Sequence, residues 1–248
     1  GAGTELPSTS VLEKALKRVS YDSRFRASIV STLMTLVVVA AAAVLIALLV
    51  RLYVRRKMSA LEAKHREEAR RERIENELQL ATNIQASVLP HTFPAFPDRN
   101  EFDIYASMTP AKEVGGDFYD FFLIDDDHLG LVMADVSGKG VPAALFMMMA
   151  KILLYNYAMI GGTPHEVLER LNSTICKNND DSMFVTVWFG IYTISTGKVI
   201  AANAGHEYPI IKHAERGFEI LKDRHGFVIG GMSGLKYRDY EFDLEPGD

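Results

Sequence analysis

A run of about 24 residues, Ala27 to Val50, contains no charged side chain and constrains the chain more than any other feature. As a helix rising about 1.5 Å per residue it spans roughly 36 Å, enough to cross a hydrocarbon core of about 30 Å with some tilt. A secretory signal peptide fits poorly, since the run is too long and some two dozen residues precede it. A buried helix of a soluble domain is the other alternative. Arg51, Arg55, Arg56 and Lys57 crowd the C-terminal flank, against Arg24 and Arg26 before the run. This bias predicts a single span of the cytoplasmic (inner) membrane with everything after it in the cytoplasm, although Lys14, Lys17 and Arg18 weaken the asymmetry. Residues 1–26 then read as an extracytoplasmic juxtamembrane remnant. The start Gly1-Ala2-Gly3 points to a fragment or a processed product.

Residues 51–89 read as a charged linker helix. Charges alternate through Lys64-His65-Arg66-Glu67-Glu68 and Arg70-Arg71-Glu72-Arg73, and no Pro or Gly occurs from Lys57 to Leu89. A late apolar stripe, Ile74, Leu78, Ala81, Ile84 or Gln85, and Val88, has helical spacing. It suits packing against a domain or pairing with a second copy as a short coiled coil, hence a homodimer through the linker helix. A solvated rod is the plainer reading of the charged part. Pro90, Pro94 and Pro97 close the helix and open a domain predicted over 90–248.

Beyond Asn100 the pattern changes. Residues 102–108, 118–124, 129–134, 184–192, 199–202 and 208–211 carry the β-branched and aromatic content of short strands, separated by turns such as Ser195-Thr196-Gly197. One helix is predicted to start at Val141-Pro142, with Pro in its first turn. Another is predicted at Thr163-Pro164-His165-Glu166, a capping box. Strands in consecutive groups predict an antiparallel α+β fold.

Two segments carry candidate chemistry, Val114-Gly115-Gly116-Asp117-Phe118-Tyr119-Asp120 and Ala134-Asp135-Val136-Ser137-Gly138-Lys139-Gly140. Each sets an aspartate where a strand meets a glycine-bearing loop. Two converging carboxylates suit a hard cation such as Mg²⁺ or Mn²⁺, although Asp beside Gly is also ordinary turn chemistry. Other chemistries are excluded. Ser137-Gly138-Lys139-Gly140 is not a phosphate-binding loop, because Gly140 follows the lysine and Met133 stands where the leading glycine belongs. Asp117-Phe118-Tyr119 has no companion kinase catalytic loop. Cys176, the only cysteine, lacks the arginine of a cysteine phosphatase, since position 182 is Ser182; it reads as a buried small residue near a helix end. A net charge of −5 gives no nucleic-acid surface. His65 is the only phosphoacceptor candidate on the linker helix for a kinase-like sensor, and no ATP-binding motif follows it.

The order of segments is informative as a set: Glu77 to Gln85 leading to Leu89-Pro90; Ala111 to Asp120; Asp135 to Leu145; Phe184-Val185-Thr186; Asn203-Ala204-Gly205-His206; and Leu244-Glu245-Pro246-Gly247-Asp248. This series resembles the SpoIIE/RsbU-type branch of the PPM metal-dependent phosphatases, over roughly residues 75–248. The resemblance implies a β-sandwich of antiparallel sheets flanked by helices. It implies that Asp135 bridges two Mn²⁺ or Mg²⁺ ions, that the Val136 carbonyl is a further ligand, and that Asp117 is the partner aspartate. Asn203 to His206 reads as a structural turn near that site. No side-chain nucleophile is expected. The implied partner is a phosphoserine or phosphothreonine protein, an anti-sigma-factor antagonist. The family pattern continues into a strand and a Thr-Asp-Gly motif whose aspartate completes the metal site, beyond Asp248. This chain is therefore expected to be inactive or very weak although the full-length protein is an enzyme; Asp243 and Asp248 do not match the absent positions. The alternative is a catalytically incomplete phosphatase-like scaffold that binds a signalling partner.

Overall fold

A computed structural model describes residues 9–110 and 113–248. Residues 1–8, and with them the start Gly1-Ala2-Gly3, lie outside the described residues, as do Ala111 and Lys112 at the head of the second motif. The chain divides into two compact units, 1–72 and 73–248. The first is the greater part of one helix, α1 (Thr9–Val88), which contains the uncharged run. That run is long and apolar enough to cross a membrane, with a mean hydropathy of 3.0 and none of it buried against protein. The boundaries predicted at 26 and 50 fall inside this unbroken helix. Its end at Val88, two residues before Pro90, follows from proline's exclusion of the preceding residue from helical conformation.

In the second unit, β1 (Phe118–Leu123), β2 (His128–Val136), β3 (Val185–Thr193), β4 (Lys198–Ala204) and β7 (Asp239–Asp243) form an antiparallel sheet in the order β1-β2-β3-β4-β7. A separate hairpin joins β5 (Ile210–His213) to β6 (Gly217–Ile220). Helices α2 (Val141–Ile160) and α3 (Pro164–Ile175) pack together and on one face of the sheet. Alternation along β3 explains how. Val185, Val187 and Phe189 are fully buried in the main core with Met147, Leu154, Leu168 and Leu171 of the helices, while Trp188 joins Val199, Ala201, Tyr240 and Phe242 in a smaller cluster. The predicted helix starts hold. Pro142 lies in the first turn of α2, and the Glu166 carboxylate accepts a 3.0 Å bond from Thr163 N–H at the head of α3.

Three readings need correction. Residues 102–108 form no ladder, although their exposure alternates residue by residue as in a strand. Ile104, Ala106 and Met108 pack on the core, and half-burial rather than strand pairing produced the pattern. Strands β6 and β7 were not predicted. β6 is a fully exposed four-residue edge, and β7 alternates acids with aromatics in Asp239-Tyr240-Glu241-Phe242-Asp243, a charged sequence that suits an edge strand and dilutes the strand signal.

Candidate metal centre

Register brings the two aspartates together. Phe118, the first residue of β1, pairs with Ala134 of β2, so Asp117 and Asp135 are next to one another where the two strands end. Both are exposed, at the mouth of a cleft also lined by Ser107, Thr109, Tyr119 and His206. The Asp135 carboxyl is pushed up to about 6, first by its partial burial and then by the hydrogen bond and repulsion from Asp117. Two carboxylates close enough to share a proton are placed to share a cation, which removes the repulsion that raises the pKa. The two carboxylates, with the Val136 carbonyl packed against Gly116 next to Asp117, are oxygen donors that suit a hard divalent ion. Among the described residues no group of three or more His, Cys, Asp or Glu side chains gathers at one point, and Asp117 and Asp135 are the two candidate acidic ligands lining this cleft.

Gly116 explains how β1 and the loop after β2 come so close. A Cβ at Gly116 would stand 3.0 Å from both Val136 Cβ and Val136 O, and 3.3 Å from Ala143 Cβ. The glycine admits the carbonyl that the family resemblance assigns to the metal. After Val136 the chain turns through Gly138 and Gly140, with φ of 87° and 81°, into α2. These values favour glycine and let the loop reverse within four residues.

Several supporting residues carried no assigned role in the sequence. Ser137 N–H donates to Phe184 O at 2.8 Å, and Ser137 Oγ accepts from Phe184 N–H at 2.9 Å. Thr186 Oγ1 donates to the Asp135 carbonyl at 3.3 Å and lies 2.9 Å from His206 Nδ1. The motif Phe184-Val185-Thr186 thus holds the backbone on both sides of Val136. Asn203 to His206 is a turn: Asn203 Oδ1 accepts from His206 N–H at 2.8 Å and Nδ2 donates to His206 O at 3.1 Å. Burial holds the His206 imidazole below its ordinary pKa. Only β-strand pairing reveals that these three segments meet, which no local spacing encodes.

The end of α1 grips the other strand. Gln85, buried at 3% exposure, donates from Nε2 to Gly115 O at 2.7 Å and accepts from Gly115 N–H at 3.0 Å. Thr82 Oγ1 donates to Glu113 O, and Tyr119 donates to Pro90 O at 2.7 Å. Leu78, Ala81, Gln85, Val88 and Leu89 form the covered face, whereas Ile74 and Ile84 are exposed. Of the two registers open to the stripe, the one through Gln85 faces the domain.

Asp248 is engaged elsewhere: its carboxylate accepts from Ala214 N–H at 3.0 Å and lies 3.1 Å from His213 Nδ1, fastening the last turn to the β5–β6 hairpin. Cys176 caps the end of α3, with Sγ 3.5 Å from Asn172 Oδ1.

Comparison with known proteins agrees with this geometry. The chain is 33% identical over 176 residues to the phosphoserine phosphatase RsbU of Bacillus subtilis, covering 71% of this chain and 51% of that protein. It is 32% identical over 199 residues to protein IcfG of Synechocystis, covering 69% of this chain and 31% of IcfG. The chain thus spans about half or less of the length of these curated relatives. The PP2C domain of SiaA from Pseudomonas aeruginosa superposes with a TM-score of 0.58 at 22% identity, over 71% of this chain and 70% of that one, and so has the same fold. The profile of Stage II sporulation protein E matches residues 125–248, half of the chain, and includes Asp135 and Val136. The chain belongs to the SpoIIE family.

Proposed function

We propose that residues 90–248 are the phosphatase unit of a membrane-anchored, metal-dependent protein serine/threonine phosphatase in bacterial signalling. Residues 27–50 are its membrane span and 51–89 its signalling helix. The observation that carries this reading is the shared environment of Asp117 and Asp135 at the mouth of an open cleft, with the Val136 carbonyl packed against Gly116. The activity of the relative RsbU, a phosphoserine phosphatase, supports the same chemistry.

Asp117, Asp135 and the Val136 carbonyl hold Mn²⁺ or Mg²⁺. When bound, such ions lower the pKa of water and neutralise charge on phosphoryl oxygens. The protein's own work is positional. Thr186 and Ser137 fix the backbone that carries Asp135 and Val136, Gly116 lets β1 approach that carbonyl, and Gln85 fixes the turn that carries Asp117. The substrate is a phosphoserine or phosphothreonine protein, and the family resemblance points to an anti-sigma-factor antagonist.

The test is Mn²⁺ binding by the whole chain in detergent micelles, followed by calorimetry. Saturable Mn²⁺ binding lost in Asp135→Asn supports the reading. No binding in the parent chain refutes it and leaves the scaffold alternative.

The Gln85–Gly115 bonds also support a route for regulation: a pairing of two copies through α1 sets the position of the turn before Asp117. Leu78→Asp, which charges the covered face of α1, is expected to change Mn²⁺ affinity. An unchanged affinity and oligomeric state would remove this route.

A further inference from the structure

Beside the metal centre, the loop before Ile229 and the segment entering β7 bring several cations to one place. Arg224, His225, Lys236 and Arg238 line an open hollow of about 190 Å³. Their engagements differ. Lys236 Nζ lies 2.6 Å from Glu169 Oε2. His225 Nδ1 lies 3.0 Å from Asp223 Oδ1, and its ring stacks on Tyr208 with centroids 4.8 Å apart. Arg224 and Arg238 are exposed, and among the described residues no ion pair or hydrogen bond occupies either guanidinium. In a chain with 32 acidic and 27 basic side chains, two unpaired arginines lining one hollow make a locally positive site that suits a ligand of opposite sign.

The hollow stands at the same end of the sheet as Asp135. Ala134 pairs with Val187, Val187 with Ala204, and Ala202 with Asp239, so Arg238 precedes β7 three strands across from Asp135. At about 4.8 Å per strand the separation is about 14 Å, which an extended peptide covers in roughly four residues. Hydrogen bonds tie the two places together. Gly226 N–H donates to Asn203 O at 2.8 Å, Asn203 brackets His206, and His206 meets the Thr186 hydroxyl that bonds the Asp135 carbonyl. The arginine loop and the metal centre therefore belong to one framework.

We propose that Arg224 and Arg238 form a subsite for an acidic side chain of the phosphoprotein substrate, about four residues from the phosphorylated one. The proposal rests on the phosphatase reading above. Arginine suits the role because its planar fork matches a carboxylate and keeps its charge at any working pH. The neighbouring acids are engaged or recessed: Asp239 is held by His165 at 2.6 Å, Glu169 by Lys236, and the side chain of Asp223 is 3% exposed behind His225.

The experiment measures fluorescence anisotropy of labelled phosphoserine peptides binding the whole chain in detergent micelles with Mn²⁺. Peptides carry Glu, Ala or Lys at the fourth residue on either side of the phosphoserine. An exposed ion pair contributes up to about fivefold in affinity, so two arginines give a preference for Glu over Ala of about five- to twentyfold on one side, shrinking as salt rises. Arg224→Gln/Arg238→Gln abolishes the preference, and Arg224→Glu/Arg238→Glu turns it toward Lys. Both positions are exposed, so the variants fold, which Trp188 emission checks. If the Ala peptide binds and Glu adds nothing on either side, or if the preference survives in the double Gln variant, the subsite is wrong while the phosphatase reading stands. If no phosphopeptide binds, the phosphatase reading fails and the subsite with it.

Discussion

Asp120 sits three residues beyond Asp117 on β1, on the strand face that meets α2, where Phe122 stacks edge-on against Tyr155. Its side chain is 6% exposed, and its Oδ2 accepts from Lys151 Nζ at 2.7 Å, the lysine being 12% exposed. Among the described residues its Oδ1 accepts only from the next backbone N–H, at 3.0 Å. Burial raises the Asp120 pKa even though Lys151 pulls it down, so the lysine only partly offsets the cost of desolvating the carboxylate. Lys151→Met keeps the length of the side chain and removes the charge. Breaking a buried pair leaves an uncompensated ion and costs about 3–5 kcal/mol; the residual exposure of Lys151 places this one near 3 kcal/mol. Replacing both groups by apolar ones, Asp120→Leu/Lys151→Met, returns stability to within about 1 kcal/mol of the parent.

The pH dependence follows from the sign of the shift. A carboxyl that holds its proton more tightly folded than unfolded costs stability as pH rises through its folded value, and Lys151→Met enlarges that loss. The penalty of the single variant is therefore full at pH 7 and shrinks as pH falls toward the ordinary value of 3.8. The assay is urea unfolding of the chain in micelles, read by Trp188, the only tryptophan, which is buried in β3. With a slope of about 2 kcal/mol/M, a loss of about 3 kcal/mol moves the midpoint down by roughly 1.5 M. A loss under about 1 kcal/mol at pH 7, or one that stays constant between pH 7 and 4.5, would refute this account of the pair.

Four further outcomes are expected. Gly116→Ala forces a methyl to within 3.0 Å of the Val136 carbonyl and should cost about 1–3 kcal/mol of stability while weakening Mn²⁺ binding, measured by unfolding and calorimetry on the same preparation. Mn²⁺ binding should weaken as pH falls through about 6, by roughly tenfold per unit below it, because the ion displaces the proton shared with Asp135; a flat calorimetric profile from pH 7 to 5 would contradict this. The same shift means that metal-free protein loses stability as pH rises from about 4 to 6, so added Mn²⁺ should stabilise more at pH 7 than at pH 5. Gln85→Ala removes both bonds to Gly115 and should lower Mn²⁺ affinity with α1 still helical by circular dichroism, whereas Ile84→Ala on the exposed side should not.

What the sequence disclosed and withheld divides along a physical line. Features that act within a few residues were legible: the proline that ends α1, the capping box at Thr163, the turn at Gly197, and the β-branched and aromatic content of β2 and β3. The two aspartates were visible as types and positions. Their adjacency was not, because it depends on the pairing of Phe118 with Ala134, and register is set by the sum of core contacts rather than by any local signal. The same reason hid Thr186, Ser137 and Gln85, whose partners lie 51, 47 and 30 residues away. Gln85 is the instructive case. At an apolar helix position a glutamine reads as a break in the stripe, and Ile84 as its natural member. Burial reverses the choice, because the turn at Gly115 presents both a carbonyl and an N–H that an isoleucine would leave unpaired inside the protein. A buried polar residue in an otherwise apolar stripe thus marks where a helix meets irregular backbone. Here that backbone is the turn that carries Asp117, so the residue that breaks the pattern is the one through which the end of α1 touches the candidate metal site.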